Sequence, residues 1–173
     1  MRKTFVFLVL LLACVVANAQ DAFTQKTVVK SSVATAELFN RVKSALMPSM
    51  TVSKERTYSE DSLVFSGKGI VEFKTNTVYS SIVGSIEYEI SAVVTPNQVE
   101  LIMTNCTHKP ANKAAFDNNM GVLVDPLPKD LSIIGVTGAN RKACYKYFYK
   151  NGIPLCEKTF QELCDKLNYG IAD

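Results

Sequence analysis

The chain has 173 residues, with 19 lysines and arginines against 16 acids, one histidine and five cysteines. That length holds one ordinary hydrophobic core and is too short for two comfortable ones. A formal charge of +3 falls short of the clearly basic surface that nucleic acid requires, so a DNA- or RNA-binding role is not expected.

Arg2 and Lys3 precede an apolar run from Phe5 to Val16, shorter than the roughly 20 residues of a membrane-spanning helix. Ala17-Asn18-Ala19 then places small residues at the first and third positions before a signal-peptidase cut. Residues 1–19 therefore read as a cleavable signal peptide, with Gln20 as the mature terminus and a periplasmic or secreted destination. The rival reading is Leu11-Leu12-Ala13-Cys14, which resembles a lipoprotein box and would anchor the chain through Cys14. Against it, Val15, Val16 and Ala17 continue the apolar run where such a box turns polar. Cleavage after Ala19 takes 19 of the 173 residues, leaving 154, and removes Arg2 and Lys3, so the formal charge falls from +3 to +1. No later stretch approaches the length of a membrane span.

Residues 20–173 are expected to form a single α+β domain. Thr27 to Val33, rich in β-branched residues, predicts a first strand. A helix follows, with Thr35 as its cap, Glu37 in its first turn, and Leu38, Phe39, Val42, Ala45 and Leu46 on one buried face. Pro48 ends it. Thr51 to Ser59 reads as a polar, edge-like strand and Leu63 to Lys74 as another, with a bulge or tight bend at Gly67-Lys68-Gly69. From Ser85 to Val94 the alternation is clearest: Ile86, Tyr88, Ile90, Ala92 and Val94 share one face, and Ser85, Glu87, Glu89 and Ser91 the other. Thr95-Pro96-Asn97-Gln98 supplies a turn, and Val99 to Cys106 returns as the antiparallel partner. Between Thr107 and Asn140 the prolines at 110, 126 and 128 break the pattern; a short helix near Ala111 to Asn118 and a strand near Leu131 to Val136 are expected there. Two closing helices are predicted, Arg141 to Lys150 and Pro154 to Asn168, separated by Asn151-Gly152. The order β-α-β-β-β-β-α predicts an antiparallel sheet with helices packed on one face, plus this C-terminal helical pair.

At this point the residues resemble a known family. Ala36-Glu37-Leu38-Phe39 opening the helix, Leu63-Val64-Phe65-Ser66-Gly67-Lys68-Gly69 in the sheet, and the Ile86 to Ile102 hairpin make the stretch from about 28 to 109 similar to the exported bacterial domain of unknown function 4468 family. Residues of about 110–173 stand as a C-terminal extension. The resemblance implies a fold like that of the TATA-box-binding protein. It implies no catalytic signature, so it speaks to fold rather than activity.

The vocabulary for chemistry is thin. With His108 as the single histidine, a zinc site of the His-Glu-x-x-His type cannot be built, and His108 itself reads as a loop residue after a strand. Gly67-Lys68-Gly69 is too short for a phosphate-cradling loop. Asp117, Asp125 and Asp130 lack the close alternation of a calcium loop and read as solvated acids. Glu87 and Glu89 share one strand face, which suits either paired acid/base carboxylates or ordinary exposed residues. Cys106, Cys144, Cys156 and Cys164 contain no Cys-x-x-Cys; they read as a staple between the closing helices, Cys144 to Cys156 or Cys164, or as buried free thiols. Lys142, Lys146 and Lys150 form a helical stripe among Tyr145, Tyr147 and Tyr149. That stripe would suit an anionic glycan, a lipid headgroup or an acidic partner, or simply a packed amphipathic helix. Asp61-Ser62-Leu63 resembles a short O-glycosylation acceptor. No catalytic, cofactor-binding or metal-binding residue is assigned and no cofactor is expected. The leading expectation is a non-catalytic binding module of the bacterial envelope; the alternative is an envelope hydrolase using carboxylates such as Glu87 and Glu89.

Overall fold

The structure, a computed structural model, describes residues 21–59, 62–111 and 118–172. The expected signal peptide, Cys14, Asp61, Asp117 and nearly all of the helix expected near Ala111 to Asn118 lie outside those residues. Among the described residues five strands and two α-helices follow one another in the order β-α-β-β-β-β-α. They are β1 (Gln25–Lys30), α1 (Thr35–Leu46), β2 (Val52–Ser59), β3 (Ser62–Phe73), β4 (Gly84–Thr95), β5 (Gln98–Pro110) and α2 (Ala139–Ile171). The strands form one sheet in the order β1-β5-β4-β3-β2, and every neighbouring pair is antiparallel. The fold is therefore α+β, built as a meander from β2 to β5 with β1 added at the far edge.

Alternation along β4 decides which face is covered. Ile86, Tyr88, Ile90, Ala92 and Val94 are all buried, and their cross-strand neighbours Phe65, Val99, Leu101 and Met103 are buried beside them. These residues share one core with Leu38, Phe39, Val42 and Leu46 of α1 and with Phe148, Phe160, Leu163 and Leu167 of α2. Both helices thus lie on the same side of the sheet. Because α1 joins strands at opposite edges, it has to run across that side, and it packs on β3 and β4.

Several local expectations are corrected. Strand β1 covers Gln25–Lys30 rather than reaching Val33, because the Ser31 hydroxyl accepts from the Val33 N–H and turns the chain. Thr35 is the first helical residue and not the cap; Ala34 holds that place, with no side-chain hydrogen bond, and its carbonyl accepts from the Leu38 N–H. The segment near Leu131 is a short 3-10 turn, Leu131–Ile134, rather than a strand, because the Asp130 carboxylate caps the Ser132 N–H and the Gly135 N–H closes on the Ser132 carbonyl.

Gly67-Lys68-Gly69 is not a bulge, since pairing with β4 runs unbroken through Gly67–Ile90, Lys68–Glu89 and Gly69–Tyr88. Gly69 serves a different need: a Cβ there would sit 2.2 Å from Cζ of Tyr88 and 2.3 Å from its hydroxyl oxygen. The Tyr88 ring lies across the glycine, and only a missing side chain makes room for it.

The closing helical pair is one helix. α2 runs for 33 residues through Asn151, Gly152 and Pro154, about 50 Å at the usual rise. Gly152 is buried, where a Cβ would meet Leu123 Cδ1 at 3.2 Å and Ile86 Cδ1 at 3.4 Å, so the glycine lets the helix approach the sheet rather than ending it. Asn151 donates from Nδ2 to the Tyr147 carbonyl at 2.7 Å. Pro154 removes one N–H from the ladder, a cost of about 3 kcal/mol in an isolated helix. Here the apolar stripe on both sides of it, Tyr145 and Phe148 before and Cys156 and Phe160 after, is buried, and that packing outweighs the local preference.

Two substitutions test this arrangement in one thermal or urea melt. Ile90→Ala should cost about 2 to 5 kcal/mol through lost burial and a cavity. Gly69→Ala should cost about 1 to 3 kcal/mol by displacing the Tyr88 ring. A Gly69→Ala protein as stable as the native one would show that the ring does not depend on this gap.

Candidate functional site

The sheet face opposite the helices is the surface that no described element covers. In β4 it carries Ser85, Glu87, Glu89, Ser91 and Val93, and the register places Lys68 and Ile70 of β3 beside Glu89 and Glu87. From β5 it takes Glu100, Ile102, Thr104, Thr107 and Lys109, and from β1 Lys26 and Val28. Toward the β4–β5 turn the surface carries Val28, Val93 and Ile102 around the Lys26–Glu100 ion pair, with Val28 exposed. Toward the opposite end it is charged.

At that end the two carboxylates proposed from sequence as a pair are each held by cations. Glu87 lies 3.3 Å from Lys68 Nζ and 3.7 Å from Lys109 Nζ. Glu89 lies 3.8 Å from Lys68 Nζ, and its second oxygen accepts from Asn105 Nδ2 at 2.9 Å. An acid/base pair needs one carboxyl that keeps its proton near neutral pH. Here each carboxylate is instead taken up by lysine or amide partners. At partly exposed positions such ion pairs contribute at most about 1 kcal/mol to stability, so their main effect is to fix the pattern of charge on the face.

Asn105 owes its place there to a bulge. Pairing between β4 and β5 shifts between Glu87 and Glu89, where Glu87 faces Thr107 but Glu89 faces Thr104, and Asn105 takes a positive φ of 54°. The extra residue changes the phase of β5, so that Met103, Cys106 and His108 all point into the core. His108 is therefore no loop histidine: it lies within β5 and is fully buried. Its Nε2–H donates to the Ile82 carbonyl at 2.9 Å, and Nδ1 accepts from the Met120 N–H at 3.2 Å. Phe73 and Phe148 meet the ring edge-on. Both ring nitrogens are engaged by backbone in a way that only the neutral tautomer satisfies, and burial pulls the imidazole below its ordinary pKa. The group joins the turn before β4 to the chain near Met120.

The remaining residues singled out from sequence are also structural. The Asp125 carboxylate accepts from the Tyr149 hydroxyl at 2.6 Å, and Asp130 is held below the usual carboxylate range by the Ser132 hydroxyl and N–H, with Lys142 adding to the effect. The tyrosines of the lysine-rich stripe work as ties. Tyr145 is buried, its hydroxyl donates to the Val122 carbonyl, and burial pushes its pKa up to about 12. Tyr147 stacks on Tyr79 with centroids 4.1 Å apart. Lys146 and Lys150 remain exposed, while Lys142 lies 3.6 Å from Asp130.

Cys144, Cys156 and Cys164 all lie on α2. On a continuous helix Cys144 is about 18 Å from Cys156 and about 30 Å from Cys164, far beyond the roughly 7 Å that a disulfide spans between Cα atoms. The expected staple between two closing helices is thus ruled out by their continuity.

Two of the surface hollows lie beside the sheet. One, of about 570 Å³, is lined by Asp21, Thr24, Thr104, Asn105 and Asp125 beside the bulge. The other, of about 370 Å³, lies between β3 and α2, with Tyr88, Thr159, Glu162 and Lys166 on its walls. There Lys166 donates to the Ser49 hydroxyl at 2.8 Å, and burial raises the pKa of Tyr88. Among the described residues no three His, Cys, Asp or Glu side chains come together as a metal site, and no helix is long and apolar enough to cross a membrane.

No family model and no curated protein matches the sequence. Among solved structures the chain is similar to a DUF4468 family protein from Bacteroides ovatus ATCC 8483, with 8% identity, a TM-score of 0.49 and coverage of 84% of this chain and 86% of that one. It is also similar to a TBP-like protein from Parabacteroides distasonis ATCC 8503, with 15% identity, a TM-score of 0.42 and coverage of 85% and 93%. Those descriptions carry the family and fold names that the stretch from Val28 to Lys109 resembles. The fold class itself rests on the sheet and helices described above.

Burial of His108 makes a prediction whose sign is fixed. Its pKa in the folded chain lies below the ordinary value of 6.5, so its contribution to stability is complete above about 6.5 and is lost as the pH falls from there through the lowered value. Urea melts of the native protein and His108→Ala between pH 8 and pH 5 should show the gap between them narrowing on acidification. At pH 8 the variant should lose about 2 to 4 kcal/mol, through the cavity and two unsatisfied backbone groups. A gap that is constant or widens toward pH 5 would contradict the neutral, doubly bonded imidazole.

Proposed function

We propose that the chain is an exported protein of the bacterial envelope that acts as a non-catalytic binding module, engaging its partner through the sheet face opposite the helices. The observation that carries this reading is the composition of that face. Val28, Val93 and Ile102, grouped around the Lys26–Glu100 ion pair, adjoin a fixed array of alternating charge formed by Lys68, Glu87, Glu89 and Lys109. Apolar side chains interleaved with paired charges suit a docking surface, and the ion pairs give it a register for a complementary partner. An envelope protein suits such a face best. An anionic glycan or lipid headgroup would instead meet the exposed Lys146 and Lys150 of α2, and nucleic acid has no basic field to meet. Residues 20–173 act in this reading as one domain of the DUF4468 type, released by cleavage after Ala19.

Two measurements test it. Mass analysis of the protein recovered from the periplasm or medium should find a terminus at or near Gln20 with no lipid; a diacylated Cys14 terminus would place the chain on a membrane surface instead. Photo-crosslinking residues introduced in cells at Val28 and Ile102 should trap a protein adduct, whereas one at Tyr169, exposed at the end of α2, should not. Equal trapping at all three positions would remove the sheet face from the reading. Turnover of model ester, peptide or glycoside substrates that is abolished by Glu87→Gln, with melting unchanged, would replace the binding module with a hydrolase.

A further inference from the structure

The bulge at Asn105 has a second product, because it turns Cys106 as well as His108 inward. Cys106 on β5 and Cys156 on α2 are free thiols, both fully buried in the same core, and Cys106 lies close enough to raise the pKa of Cys156. The two elements that carry them are pinned on either side of this contact. The Cys106 carbonyl accepts from the Leu123 N–H at 2.7 Å, and Leu123 packs against the helix at Gly152, one turn before Cys156. Elsewhere on α2, helix spacing holds Cys144 about 18 Å and Cys164 about 12 Å from Cys156.

We propose that Cys106 and Cys156 form a disulfide that ties β5 to α2 when the chain folds under oxidising conditions, with Cys144 and Cys164 remaining thiols. The step is thiol–disulfide exchange with a small-molecule or protein disulfide as oxidant. One cysteine sulfur attacks the external disulfide and releases the first reduced thiol. The second cysteine sulfur then attacks the mixed disulfide and releases the other. Two hydrogens leave the protein with those thiols, one new S–S bond forms in the core, and one external S–S bond is broken.

The bond is structural rather than catalytic. Hydrogen bonding to Cys106 and burial both raise the pKa of Cys156, and a thiol that stays protonated out of solvent is a poor nucleophile. The exchange therefore belongs to the folding chain or a locally opened state. Once made, the bond closes a loop of about 50 residues, a length at which restricting the unfolded chain has a large effect. This chemistry does not depend on the export reading, since it is decided with purified protein wherever the chain resides.

The test is to unfold the reduced full-length protein, refold it in buffer rich in oxidised glutathione, and block remaining thiols with iodoacetamide in denaturant. Peptides are then mapped by mass spectrometry. The expected product is a Cys106–Cys156 linked peptide, lighter by two hydrogens than its reduced components, with Cys144 and Cys164 alkylated. Its melting midpoint should lie roughly 5 to 15 °C above that of the reduced protein. Cys144→Ser should keep this shift and Cys106→Ser should abolish it. Should Cys106→Ser fail to fold, the peptide map of the native protein still decides. Alkylation of Cys106 and Cys156 to the same extent as Cys144, or a link that involves Cys144 or Cys164, overturns the proposal.

Discussion

The extra residue in β5 sets the phase on which much of the molecule depends. Up to Met103 the strand buries odd-numbered positions; after Asn105 it buries even ones, so Cys106 and His108 face the helices. Without the bulge the alternation would bury Asn105 and Thr107 and expose a histidine and a cysteine, because a slip of one residue exchanges the faces of a strand. The left-handed backbone that the bulge requires is tolerated by asparagine better than by most residues. The same asparagine then points its amide at Glu89, so one local irregularity shapes both the core and the open face.

His108 and the tyrosines of α2 together organise the least regular part of the chain. Among the described residues between β5 and α2 there is no long element, yet the backbone is anchored repeatedly. Gly121 and Leu123 continue the hydrogen-bonding edge of β5, Phe23 bonds to Leu123 in turn, Met120 bonds to His108, and Val122 accepts from Tyr145. Buried polar groups satisfied in this way specify one arrangement of neighbouring backbone more sharply than apolar packing alone. What reads along the sequence as a lysine stripe with aromatics is, on its inner side, a row of hydroxyl and ring contacts that holds this segment against the helix.

Much of the sheet was legible because its period is strict. Ile86 to Val94 alternates without error, and the buried face of α1 follows the helical spacing at Leu38, Phe39, Val42 and Leu46. The departures arose where tertiary contact overrides a local preference. Asn151-Gly152 and Pro154 look like a break, but the sheet beneath them rewards a close approach and keeps α2 whole. Gly67-Lys68-Gly69 looks like a bulge, but its last glycine accommodates a ring from the neighbouring strand. The real bulge did leave a mark in the sequence, since apolar residues at 99, 101 and 103 give way to Cys106 and His108, a change of parity with an asparagine between. The open face was legible as the polar side of β4, whereas the cations that neutralise Glu87 and Glu89 come from β3 and from beyond the bulge. Their arrival depends on register, which a single strand's pattern does not contain.

The placement of β1 at the edge of β5 also constrains the order in which the molecule can assemble. Strands β2 to β5 are joined by short connections, so each hairpin can form soon after its residues are made and with little loss of chain entropy. The first strand has no such neighbour. Its partner is the last strand, about 70 residues away, and closing so long a loop is slow unless much of the sheet already exists. The strand synthesised first is thus among the last to be paired. Until it docks, β5 presents an open edge of backbone groups, a transient template for another chain. The lysines at 26 and 30, exposed along β1, then place charge on the edge that remains once the sheet is complete.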